Sequence, residues 1–305
     1  RTVMAATLGF FGVKTHTGMH VGADVGATAV LEVSTRLLHE GTARIEEDVD
    51  SALVALRQSF ALECSYTAED DGGARLCRSC TGLCRALTKA NNGDAPAAAV
   101  PVLLQALDVL SERRAAGSPA EVAESHVVRE LLGLANHLSG LAADGGSSPK
   151  GAPVAPKGLG DWAARANRLR AADRALEKLV EVSSTQPITL PPRPSAEGGA
   201  ATEIAVAQPE LLFQQARTAQ RIGELLAAAG SAREHDAATF YLHRAVRKLR
   251  LAGLTERDPA LHALLEQVAQ VERAQARARE GPPPGSAQPT AAKAPPEEES
   301  NCAIS

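Results

Sequence analysis

An all-α fold of stacked antiparallel helix hairpins follows from three observations on this 305-residue chain. The composition is 44% hydrophobic but only 3% aromatic, with much of the apolar share alanine. Alanine and leucine are strong helix formers, and small side chains let helices approach closely, whereas sheets favour β-branched and aromatic residues. Apolar residues recur at spacings of three and four along most of the chain, the signature of helices with one buried face. Short Gly, Pro, Asn and Asp clusters separate these runs, as expected of turns between neighbouring antiparallel helices.

Residues 1–30 contain Gly9, Gly12, Gly18, Gly22 and Gly26 and show no clear period, so they form an unassigned N-terminal segment. The chain opens at Arg1 rather than Met, and the natural N-terminus is therefore expected upstream. From residue 28, Val30, Leu31, Val33, Leu37 and Leu38 begin a helical pattern that Ile45, Val49, Leu53, Leu56 and Phe60 continue, giving two helices joined near Gly41. Further helices are predicted over 73–89, 95–113, 119–141, 159–182, 209–229, 233–252 and 259–279. Segments 142–158 and 183–208 are rich in Gly, Ser and Pro and read as loops. The helical domain thus runs over 31–280, followed by a tail at 281–305.

One hairpin carries a family likeness. Ile222-Gly223 and Leu226, the turn at Gly230, then Ala238, Leu242 and Ala245 resemble a tetratricopeptide repeat. Leu83, Leu87, Gly93-Asp94, Ala99, Leu103 and Ala106 form a second copy that lacks the first glycine. A third pairs Leu132-Gly133 and Leu138 with Trp162, Ala166, Leu169 and Leu176 across the loop at 142–158. The likeness covers about 76–280, and the best copy is some three residues longer in its turn than the family's 34-residue unit. It implies an irregular solenoid whose concave surface holds a protein or peptide ligand, with Gly223, Ala238 and Ala245 at the small positions where paired helices nest.

The tail, from Gly281-Pro282-Pro283-Pro284 to Pro295-Pro296-Glu297-Glu298-Glu299, has almost nothing to bury and reads as a disordered leash. It closes on Cys302-Ala303-Ile304-Ser305, which resembles the C-a-a-X box read by protein farnesyltransferase. The likeness implies farnesylation of Cys302, the final Ser favouring farnesyl over geranylgeranyl, with methylation expected alongside. A single lipid chain gives only marginal, reversible membrane binding. The acids at 297–299 repel anionic lipid, so a cytoplasmic protein with exchangeable membrane contact is expected.

A net charge of −4 provides no global attraction to nucleic acid, and no run of eighteen apolar residues offers a transmembrane helix. Besides Cys302, four thiols remain: Cys64, Cys77, Cys80 and Cys84. The last three lie at i, i+3 and i+7, interleaved with Leu76, Leu83 and Leu87, which points to core packing, while a zinc or redox site would need Cys64 to fold back across the following loop. Nucleophile elbows, phosphate loops and HExxH pairs are absent from the sequence, so no catalytic residue and no cofactor are assigned. The one dense basic segment, Arg244, Arg247 and Lys248, is either a solvated helix face or a patch for an acidic peptide or phospholipid head group, which Arg129 and Asn136 could join. A non-catalytic adaptor is therefore expected. The alternative is a lipid-anchored enzyme whose catalytic residues, with His16, His20 and Asp24 converging, lie in or before the N-terminal segment.

Overall fold

A computed structural model describes residues 23–65, 71–90, 95–144, 159–185, 188–190 and 204–280. Among these the chain forms nine helices: α1 (Ala23–Arg44), α2 (Val49–Ser65), α3 (Ala74–Ala90), α4 (Ala95–Ala115), α5 (Glu121–Asp144), α6 (Leu159–Thr185), α7 (Gln208–Ala229), α8 (Ala232–Leu251) and α9 (Pro259–Glu280). Each helix packs on the one before it, and α1 also touches α3, α3 touches α5 and α4 touches α6. From α1 to α6, contact with the nearest and next-nearest helix describes a two-layered stack of hairpins, which α7, α8 and α9 continue through nearest-neighbour contacts. The protein is all-α.

Helix starts are set by side chains that satisfy backbone donors the helix itself leaves orphaned. Asp48 accepts from the Ser51 amide at 3.1 Å and Asp71 from the Arg75 amide at 2.9 Å, opening α2 and α3. Ser231 and Glu234 cap each other's amides at 3.3 and 3.2 Å, forming a reciprocal box at the start of α8.

Two hairpins close on the same contact. In α7–α8, a β-carbon added at Gly223 would lie 2.6 Å from Leu242 Cγ and 3.2 Å from the Ala238 carbonyl oxygen. In α1–α2, one added at Gly41 would lie 2.6 Å from Leu56 Cγ and 3.2 Å from the Ala52 carbonyl oxygen. Both therefore set a bare backbone against an Ala and a Leu one turn apart on the partner. In α3–α4, Cys84 takes the corresponding place and its Sγ donates to the Ala99 carbonyl at 3.9 Å.

The core falls into two clusters. The larger runs from Ile45 through α2–α5 to Val182, Ile188 and Leu211, and the smaller joins Leu169 to the inner faces of α7, α8 and α9. Helix α6 serves both, contributing Leu169 to the smaller and Leu176 and Leu179 to the larger. Of the twelve largest fully buried side chains ten are Leu, beside Phe60 and Ile222, and each removes about 1.5–3 kcal/mol of apolar surface from water. One polar layer threads this core. Ser34 donates to Glu63 at 2.7 Å, Ser59 bonds the Ser34 carbonyl at 3.1 Å, and the hydroxyls of Ser59 and Ser79 lie 2.8 Å apart. It links α1, α2 and α3, and because a slipped helix would strand these buried groups unpaired, the layer fixes their register.

Three sequence expectations change. The first two helices meet at residues 45–48 rather than near Gly41, which lies within α1 and serves interhelical contact. The 183–208 segment holds an antiparallel ribbon, Ile188–Leu190 with Ile204–Val206, pairing Ile188 with Val206. Three-residue strands are too short to show a period. Gly133 does not seat a neighbouring helix: it is exposed, and an added β-carbon would meet nothing within 4 Å.

These contacts predict opposite outcomes for one substitution at two sites. Gly223→Ala should destabilise the fold by about 1–3 kcal/mol through overpacking against Leu242. Gly133→Ala, on an open helix face, should stabilise it by about 0.5–1 kcal/mol. Urea unfolding of both variants checks the pair, and equal shifts would refute the close-approach account.

Candidate functional site

Among the described helices α3 is the most amphipathic, with Leu76, Cys77, Cys80, Leu83 and Leu87 turned inward. Its other side carries Arg75, Arg78, Thr81, Arg85, Thr88 and Lys89 at spacings of three and four, so they line up along the helix axis. Two cavities lie along this line, of about 740 and 560 Å³, and both are bordered by Thr81 and Arg85. Together the two cavities make up the groove along α3. The first section is walled by Leu38, His39 and Thr42 of α1 and by Val122, Ala123 and His126 at the start of α5. The second is walled by Arg129, Gly133, Leu134 and His137 further along α5, with Cys84, Ala99 and Leu103 where the α3–α4 crossing carries a side chain in place of glycine.

The groove is positively charged at its centre. Arg78, Arg85 and Arg129 have no carboxylate within ion-pair distance among the described residues. Arg129 Nε and His126 Nδ1 are both shielded from solvent with no hydrogen-bond partner. At the rims the cations are neutralised: Arg75 pairs with Asp71 at 3.2 Å, and Lys89 bonds Glu46, a hydrogen bond that holds the Glu46 carboxyl below its usual value. Glu130 is the one acid of the lining without such a pair among the described residues. The lip adds apolar surface in Val122, 84% exposed. Such a surface suits an extended segment carrying carboxylates and a few apolar side chains.

In the basic segment singled out in the sequence, Arg244 is engaged between helices. Arg244 Nη2 lies 3.2 Å from Asp173 and 3.0 Å from Glu177, bracing α8 against α6. Asp173 is only 4% exposed; burial raises its carboxyl above the usual value and the Arg244 guanidinium pulls it part of the way back. Lys248, also desolvated, has its ammonium lowered by burial and by the adjacent Arg244. Arg247 alone of the three is exposed. Arg244 is therefore a strut between α8 and α6, while Arg247 remains on the surface. Arg129 lines the α3 groove, and Asn136 is exposed on α5.

The four thiols belong to the core. Cys77 and Cys80 are buried, and Cys64 and Cys84 are half-buried. A hydrogen bond with Cys84 and burial drive the Cys80 thiol upward, and burial pushes Cys64 up to about 12. Thiolates, the reactive and metal-binding form, are thus disfavoured there. Among the described residues no group of three or more His, Cys, Asp or Glu is placed to hold a metal, and no helix is long and apolar enough to cross a membrane. His16, His20, Cys302 and the tail at 281–305 lie outside the described residues, as do the side-chain surroundings of Asp24.

Comparison with protein-family models, with curated proteins and with solved structures gives no match.

The buried carboxyl of the strut sets a pH response. A folded-state value above the ordinary 3.8 means that the native state binds more protons, so this group's contribution to stability falls as pH rises from near 3.8 through the raised value. Asp173→Asn should flatten that part of the urea-midpoint profile, from near pH 3.8 upward. Superimposable profiles for the two proteins would remove Asp173 as its source.

Proposed function

We propose that the protein is a non-catalytic interaction adaptor whose groove along α3 holds an extended, acidic protein segment, and that a farnesylated Cys302 brings it reversibly to membranes. The observation that carries the first half is the set of guanidiniums, Arg78, Arg85 and Arg129, that have no carboxylate within ion-pair distance among the described residues and border the two cavities along α3. Rigid helices hold these cations in place before any partner arrives, which reduces the ordering cost of binding. The mechanism is positional.

A tetratricopeptide-like architecture is supported by a second copy of the glycine contact. Gly41 with Ala52 and Leu56 repeats Gly223 with Ala238 and Leu242, each pair of partner residues four apart on the following helix. In such stacks the first helices of successive hairpins form the inner surface. Here α1, α3 and α5 are the helices that line the groove.

The second half rests on Cys302-Ala303-Ile304-Ser305 and on the Pro- and Glu-rich leash before it. One lipid without a basic run gives weak membrane contact, so the lipid acts by raising local concentration near a bilayer. Protein farnesyltransferase is the implied modifying partner.

Two measurements test the halves separately. An array of immobilised extended peptides of varied charge should retain the full-length chain on its acidic members, and Arg78→Glu with Arg85→Glu should reduce that retention by tenfold or more. Both side chains are exposed, so the double variant should keep its helical circular dichroism. Retention blind to peptide charge would defeat the groove reading. For the tail, the chain expressed in eukaryotic cells should gain a farnesyl mass and a membrane-bound fraction, both lost in Cys302→Ser. Identical partitioning of the two, with no prenyl mass on either, would end the targeting reading.

A further inference from the structure

We propose that the cavity of about 560 Å³ between α3, α4 and α5 seats one phosphorylated tyrosine of the docked segment. This rests on the adaptor reading and names the residue that anchors the partner. Three observations converge on the cavity. Its floor is apolar, with Ile45, Ala99 and Leu103 at most 4% exposed. Two guanidiniums border it from different helices, Arg85 from α3 and Arg129 from α5, neither with a carboxylate within ion-pair distance among the described residues. Arg129 Nε is shielded from solvent and has no hydrogen-bond partner, so it holds a donor that an incoming acceptor would satisfy.

The third observation is Gly133. It lies in the interior of α5, where glycine weakens a helix relative to alanine, and an added β-carbon would meet nothing within 4 Å. Packing gives no reason for it; the cavity does. Arg129, Gly133 and His137 are spaced by four and stand in one row on the cavity wall. The bare middle position leaves a notch between the two longer side chains.

The class of ligand follows from charge and volume. Lys89 is neutralised by Glu46, which leaves two guanidiniums against the exposed Glu130. That net positive charge attracts a phosphate dianion about twice as strongly as a single carboxylate, and guanidinium forks match its several oxygens. A phosphoryl group on serine would leave the apolar floor uncovered. Clefts of about 300–1,000 Å³ accommodate ligands of drug size, so this one has room for a ring beside the phosphoryl group. An aromatic ring covers Ala99 and Leu103, and planar guanidiniums stack on its face. Carboxylates elsewhere in the segment then meet Arg78 in the adjoining cavity.

The test titrates the full-length chain into a fluorescent acidic nonapeptide whose central residue is phosphotyrosine, tyrosine, phosphoserine or glutamate. The phosphotyrosine form should bind at least tenfold more tightly than the other three, and phenyl phosphate should displace it at concentrations where inorganic phosphate does not. Glu130→Gln should tighten it about threefold by removing a like charge. Gly133→Leu places a side chain that leans toward Arg129 and should weaken phosphotyrosine binding tenfold or more while sparing the glutamate peptide. Leucine is the better helix former, so urea unfolding should find this variant at least as stable as the wild type. Equal affinity for the phosphotyrosine and glutamate peptides would overturn the inference and leave the acidic-segment groove standing. Phosphoserine binding as well as phosphotyrosine, or undiminished binding by Gly133→Leu, would take the ring out of the cavity and overturn it too. Binding of none of the four peptides would overturn both readings.

Discussion

The close approach of paired helices is the constraint on which the rest depends. With few aromatic residues, this chain builds its core from Leu and Ala, whose small volumes fill space only when helix backbones come near one another. Gly41 against Leu56 and Gly223 against Leu242 achieve that at two of the hairpins. Where Cys84 replaces glycine, a cavity lined by Cys84, Ala99 and Leu103 remains beside the crossing. The second section of the groove lies there, so packing and binding surface share one cause.

Charge is distributed on a similar logic. Several half-buried cations outside the groove have partners: Arg244 has Asp173 and Glu177, Arg114 has Glu124 at 3.2 Å, and Lys178 has Asp108 at 2.8 Å. Desolvating an unpaired charge is expensive, so such pairing is required wherever α4, α5, α6 and α8 meet. Among the described residues Arg78, Arg85 and Arg129 of the groove stand without a carboxylate within ion-pair distance, as do exposed guanidiniums on other helices, such as Arg57, Arg217 and Arg247. A solvated surface can leave them so because water screens the charge.

Much of the fold was legible because helix periodicity needs only local information. Start and end points of α3 to α9 lie within about three residues of those read from apolar spacing, and the core leucines are those the spacing selects. What was misread had a shared cause. Gly41 and Gly133 both look like turn or contact glycines, yet one lies against Leu56 and the other faces open space, and nothing in their neighbours distinguishes them. The ribbon of Ile188–Leu190 and Ile204–Val206 joins segments fourteen residues apart, beyond any local period.

The sequence by itself determined the helices, the inward Cys77 and Cys80, and the acidic, Pro-rich tail, because propensity, period and composition act over a few residues. Tertiary structure decided which cations are free. Arg244 and Arg85 both sit on the polar sides of amphipathic helices, and only packing shows that α6 brings two carboxylates to the first while no carboxylate lies within ion-pair distance of the second. Charge pairing across helices depends on atoms brought together by the stack, and no residue's sequence neighbours carry that information.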